Sequence, residues 1–134
     1  MNIESTHTEI SNSQENIYNY LMDLNNVKEL LPEGKYTEWE GEYDSCSFKM
    51  MGFGLKLTKD SSTPFSEIKL VSGSGSPIDF DLFISINDLG NGKCDTFLNC
   101  EARVNAFLKM MIEKPLTNLF NHMSDKLSRV DLGK

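Results

Sequence analysis

The chain predicts an α+β domain: a curved antiparallel sheet of about six strands wrapped around one long C-terminal helix, with one or two short helices after the first strand. Three observations carry this expectation. From Asn105 to Val130, the residues Leu108, Met111, Ile112, Pro115, Leu116, Leu119, Met123 and Leu127 recur at spacings of three and four, the stripe of a long amphipathic helix. Between Thr37 and Val104 the apolar positions alternate instead, the period of half-buried strands. A short helical pattern separates that meander from an earlier strand-like stretch. Antiparallel strands with helices collected on one face make an α+β domain. Such a sheet must curl if it carries bulges and glycines, and a curled sheet around one helix leaves a space between them.

Residues 2–10 are rich in Thr and Ile and read as a first strand, placed at an edge by its weak alternation. Ser11-Asn12-Ser13-Gln14 supplies helix-capping oxygens, with Gln14 three residues after Ser11 as in a capping box. Ile17, Tyr20, Leu21 and Leu24 then space a first helix. Val27, Leu30 and Leu31 suggest a second short turn, stopped by Pro32 and Gly34.

From Thr37 to Asp44, Trp39, Gly41 and Tyr43 share one face and Glu38, Glu40 and Glu42 the other. Cys46, Phe48 and Met50 are apolar at even positions, but Met51, Phe53, Leu55 and Leu57 at odd ones. A β-bulge near Met50-Met51 would restore the facing within one bent strand. Asp60–Pro64 reads as a turn, 65–71 as a strand and 72–77 as a flexible connection. Ile78, Phe80, Leu82, Ile84 and Ile86 alternate cleanly, with Phe83 as the apolar exception. Asp88–Gly92 is a hairpin turn. The last strand puts Cys94, Thr96, Leu98, Cys100, Ala102 and Val104 on one face.

Eight stripe side chains on the long helix, at about 1.5–3 kcal/mol each, give a gross burial term of roughly 12–24 kcal/mol, an upper bound. Pro115 interrupts the stripe and removes the hydrogen bond to the Met111 carbonyl, at about 3 kcal/mol. The helix is therefore expected to kink there, or to begin anew after a lead-in turn over 106–113. That lead-in is either a lid flanked by exposed Phe107 and Met110 or a bend that follows the sheet.

A chain of 134 residues suits one domain, 1–134, with a real core. Thirteen basic against twenty acidic residues leave a net charge of −7. Phosphate neutralisation needs Lys and Arg, so nucleic acid and anionic membrane are not expected partners. Met1–Ile10 is too polar for a signal peptide, and no run approaches 18 apolar residues. A cytoplasmic protein without integral membrane association is the expectation. Cys46, Cys94 and Cys100 are odd in number and lack CxxC spacing, which argues against a disulfide framework or structural zinc. Cys94 and Cys100 would lie roughly 20 Å apart along one strand, too far to bridge.

Catalytic signals are sparse. His7 and His122 are isolated, with His122 expected on the exposed side of the long helix. No G-x-S-x-G context surrounds a serine. Gly73 and Gly75 do not precede a helix, so a phosphate loop is not expected. Asp79 and Asp81 read as facing water; acting as an acid pair would require them to point inward. No catalytic residue, metal or cofactor is assigned.

The order of elements resembles the helix-grip fold of the START-like (SRPBCC) superfamily. The resemblance is carried by Ile3-Glu4-Ser5 leading to Ile10-Ser11-Asn12-Ser13, by Ile17-Tyr18 and Leu21-Met22-Asp23-Leu24, and by the closing stretch from Asn105 through Leu127. It spans nearly the whole chain as a pattern of order and hydrophobicity. Ser13 stands where many members carry a helix-opening Pro. The resemblance implies a hydrophobic cavity between sheet and long helix, used in the superfamily for lipids, sterols, quinones, polyketides or hormones. The candidate lining is Trp39, Tyr43, Phe48, Met50, Phe80 and Leu82, small Cys100 and Ala102 on the last strand, and Leu108, Met111, Leu119 and Met123 on the helix. The expected partner is a small hydrophobic molecule. A filled core, a polyketide cyclase/dehydrase-like enzyme and a protein-interaction module remain open alternatives, as do monomer and dimer.

Overall fold

Short-range pairing explains most of the architecture. The computed structural model describes residues 1–50, 52–74, 76–130 and 132. Its strands are β1 (Asn2–Glu4), β2 (Thr8–Ile10), β3 (Tyr36–Gly41), β4 (Ser45–Met50), β5 (Phe53–Thr63), β6 (Glu67–Ser72), β7 (Asp79–Gly90) and β8 (Lys93–Arg103). Helix α1 spans Gln14–Met22, a 3₁₀ segment spans Leu24–Leu30, and helix α2 spans Ala106–Lys126. All strand pairs are antiparallel, in the order β1-β8-β7-β6-β5-β4-β3, with β2 also on β8.

Eight strands replace the expected six for two reasons. The first expected strand is broken at residues 5–7, where the Ser5 hydroxyl accepts from the Leu98 amide at 2.8 Å in place of a backbone carbonyl. The expected bulged strand over 46–57 is instead a hairpin, with Met50 paired to Phe53 and Gly52 at φ +87°. A tight turn changes the facing parity just as a bulge does, and only the left-handed glycine tells them apart. Met51, at the phase change itself, lies outside the described residues.

Real bulges fall elsewhere. One sits at Asp60, which was expected in a turn; β5 runs on to Thr63. Another sits in β3 between Thr37 and Glu40, where Glu38 adopts φ +54°. The β7–β8 hairpin turns at Asn91-Gly92, with both φ values positive, as the sequence suggested.

A meander alternates its connections between two ends. The turns at 42–44, 64–66 and 91–92 share the end that α1 covers, through Gln14 to the Ile86 carbonyl and Tyr18 to Ser62. The connections that follow Met50, Ser72 and Arg103 share the far end. Helix α2 starts at that far end, capped by the Asn105 side chain on the Leu108 amide at 2.8 Å. Its 21 residues carry it about 31 Å back across the sheet. It continues unbroken through Pro115, so no separate lead-in turn forms over 106–113. No helix among the described residues is long and apolar enough to cross a membrane.

Candidate functional site

The two halves of α2 are held differently. In the second half Leu116, Leu119, Phe120, Met123 and Ser124 are buried. Ser124 donates to the Thr6 carbonyl at 2.7 Å and lies 3.1 Å from the Thr8 hydroxyl, while Asn121 Oδ1 accepts from the Thr6 amide at 2.8 Å. The strand break at 5–7 thus presents free backbone groups, and α2 satisfies them. In the first half only Ile112 is buried. Phe107, Met110 and Met111 are 71%, 82% and 59% exposed beside the far end of the sheet.

Between sheet and helices lies an enclosed hollow. Leu21, Leu24, Val27 and Leu30 line it from the short helices, Met123 from α2 and Leu127 from its C-cap, and Leu57, Leu70, Leu82, Ile84 and Leu98 from the sheet. Every lining side chain is aliphatic or thioether, and none titrates. The room inside is about 10 Å³, about one water-sized sphere. That falls far short of the 300–1,000 Å³ usual for ligand pockets. The ligand-sized cavity expected from the sequence is therefore not open among the described residues.

Of the twelve candidate lining residues, Leu82 and Met123 border this hollow. Phe48, Met50, Phe80, Cys100, Ala102 and Leu119 are buried in the surrounding core. Pairings Phe80–Ala102 and Leu82–Cys100 set several of them toward the far end. Burial pushes the Cys100 thiol up to about 12, so it is an inert wall rather than a nucleophile. Trp39 and Leu108 are half-buried, with the Trp39 ring stacked on Phe48 at 6.2 Å.

Two placements are corrected. Tyr43 is 54% exposed, because β3 ends at Gly41 and the chain enters a turn. Its ring instead rests under the Lys59 ammonium, 3.6 Å from the centroid. Met111 is exposed because it leads Ile112 by about 100° around the helix, which turns it off the buried stripe.

The polar groups behave mainly as structure. Asp79 and Asp81 do face outward and share Arg103, whose guanidinium holds the Asp79 carboxyl below its ordinary range. His122 is half-buried rather than exposed, and its Nε2 lacks a hydrogen-bond partner among the described residues. His7 lies outside the sheet, stacked on Phe97, with Nε2 3.0 Å from Glu4 and Nδ1 2.8 Å from Asp95. Those two hydrogen bonds raise its pKa above 6.5. Lys59, missed in the sequence, is only 11% exposed and donates to the Met22 carbonyl at 2.7 Å, completing the C-terminus of α1. No cluster of three or more metal-ligating side chains occurs among the described residues. Gly75 of the 72–77 connection lies outside them.

No family model matches the chain, and no curated protein does. Solved structures do. Norcoclaurine synthase from Thalictrum flavum superposes with TM-score 0.72 at 16% identity, over 96% of this chain and 92% of that one. A START superfamily protein from Mycobacterium smegmatis gives 0.67 at 12% identity, over 96% and 94%. The fold is START-like. A conserved protein from Geobacillus kaustophilus shares it as well, at TM-score 0.69 and 15% identity, over 96% and 93%. Within this START-like frame the expected helix-grip layout holds: short helices at one end, a curved antiparallel sheet and a long C-terminal helix.

Proposed function

We propose that this protein binds a small hydrophobic molecule between its sheet and α2, admitted by movement of the N-terminal half of the helix. One juxtaposition carries the reading. A purely apolar hollow lies under a helix whose far-end half is unpinned and holds three large apolar side chains in solvent. Exposed apolar surface of this kind is a cost unless something covers or uses it. Swinging that half outward would uncover Leu108 and Ile112 and start a path along the core toward the hollow, which lies at Met123 under the half that Asn121 and Ser124 hold in place. The ligand chemistry that suits the hollow is hydrocarbon, since its lining offers no hydrogen-bond donor to a polar group.

The enzyme alternative has little support at this position, because general acid–base chemistry needs a titratable group within reach of the reacting atom. Native mass spectrometry of gently purified protein, together with titration by the fluorescent chain cis-parinaric acid, tests the proposal. A mass excess lost on denaturation, or saturable fluorescence displaced by unlabelled fatty acid, is the expected result. Leu108→Glu at the far end should weaken parinarate binding about tenfold or more, because a carboxylate there must be desolvated. A bare native mass with no saturable parinarate binding would overturn the reading and leave a filled core.

A further inference from the structure

We propose that the outward face of β3–β5 is a second binding site, for a linear zwitterion of the ω-amino acid type. Glu40 pairs with Ser47, and Ser47 pairs with Lys56, so three side chains stand in one row across three strands. Their strand neighbours Cys46, Phe48, Leu55 and Leu57 are buried, which turns Ser47 and Lys56 to the opposite face. Two strand spacings separate acid from base by about 9–10 Å. Neither Glu40, Ser47 nor Lys56 makes a side-chain hydrogen bond or ion pair with another described residue. The neighbouring Lys49 by contrast is taken by Glu38 at 3.3 Å.

The row has room around it. Two surface depressions, of about 260 and about 460 Å³, both include Glu40, Ser47 and Lys56 in their walls. Gly54 deepens the first, since no atom lies within 4 Å of where its Cβ would stand. The Lys56 stem is held against the Gly73 backbone so closely that a Cβ there would sit 2.4 Å from Lys56 Cδ. That contact limits the positions open to the ammonium. Acidic groups Glu38 and Glu40 lie on the β3 side, and basic groups Lys49 and Lys56 on the β4–β5 side. With Glu42 in the wall of the second depression, three carboxylates stand against two ammoniums, so the face is slightly acidic in sum but polar in direction. A singly charged ligand meets one matching and one opposing wall, whereas a zwitterion complements both. The spacing favours charges separated by a chain over the adjacent charges of an α-amino acid.

The test is a chemical-shift titration of the ¹⁵N-labelled full chain with 6-aminohexanoate, with hexanoate and hexylammonium as singly charged controls. Saturable shifts at the Glu40, Ser47 and Lys56 amides are expected with 6-aminohexanoate, with affinity about tenfold or more above either control. Glu40→Gln and Lys56→Gln should each lower that affinity about tenfold, with the rest of the spectrum unmoved. Absence of saturable shifts at these amides would overturn the proposal. So would equal binding of hexanoate, or shifts confined to α2.

Discussion

The two halves of α2 are one helix with two different jobs for its side chains. From Leu116 onward, apolar residues fill the core and two polar residues reach across to the broken edge strand. Before Pro115 the helix is capped and hydrogen-bonded, yet it offers Phe107, Met110 and Met111 to water. Helical periodicity is the same on both sides. The difference lies on the outer face: Phe107 and Met110 stand about 150° around the helix from the Ile112–Leu119 stripe, where the second half carries Asn118 and Asp125.

The sharpest way to break the comparison is a pair of truncations. Leu116→Ala should cost about 2–5 kcal/mol in urea unfolding, because a side chain 2% exposed leaves a cavity. Met110→Ala, 82% exposed, should stay within about 0.5 kcal/mol. Equal losses at the two sites would mean that the N-terminal half is packed as firmly as the other. Next in size is Ser124→Ala. It removes the donor to the Thr6 carbonyl and should cost about 1–3 kcal/mol, with faster amide exchange around residues 5–7.

Pro115 marks the divide, and Pro115→Ala tests whether it weakens the first half. Alanine restores the missing amide donor toward the Met111 carbonyl and raises local helix propensity. Part of the gain is offset by the greater freedom of the unfolded chain. A net stabilisation of about 1 kcal/mol is expected, with slower amide exchange concentrated over 106–114. If parinarate binding slows in the same variant, stiffness of that half limits access to the hollow. Unchanged exchange over 106–114 would show that the proline has no part in the asymmetry.

Much of this was legible in the sequence. The stripe from Leu108 to Leu127, the alternation of β7 and β8 and the Ser-Asn run before the first helix carried the elements and their order. The cap itself is Ser13 on the Asn16 backbone amide, and Gln14 reaches the Ile86 carbonyl in place of closing a box with Ser11. Turns were harder, because parity changes look alike for a bulge and a two-residue hairpin. Gly52 was the clue that decides between them, through its positive φ. Periodicity also says that a residue faces inward without saying toward what. Phe80 and Ala102 face inward as expected, but the hollow is lined by Leu21, Leu24, Leu57 and Leu98, which sequence spacing marked simply as core. Tyr43 escaped because the bulge at Glu38 and the end of β3 break the alternation it was read from. The Ser124 and Asn121 pins were invisible, since they answer backbone groups freed by a strand break that composition does not announce.

The smallest effect concerns the edge to which the second half is pinned. His7 follows Thr6 directly and joins Glu4 of β1 to Asp95 of β8 through its two ring nitrogens. Both partners are carboxylates, so both nitrogens are best used as donors, which requires the imidazolium. The folded-state pKa is accordingly raised above 6.5, first by Glu4 and then by Asp95. A raised pKa means that the stabilisation is fully present below about 6.5 and is lost as pH climbs through the folded value. With the ring 45% exposed, solvent screening keeps the effect below about 1 kcal/mol. Urea midpoints measured from pH 6 to pH 9 should fall more steeply for the natural chain than for His7→Gln, which removes the charge while keeping a polar side chain. Protection of the Thr6 and Leu98 amides, taken as exchange relative to the intrinsic rate at each pH, should fall over the same interval in the natural chain alone. Parallel pH profiles for the two proteins would mean that the clasp carries no charge, and that the broken edge strand depends on α2 and the Ser5–Leu98 bonds for its hold.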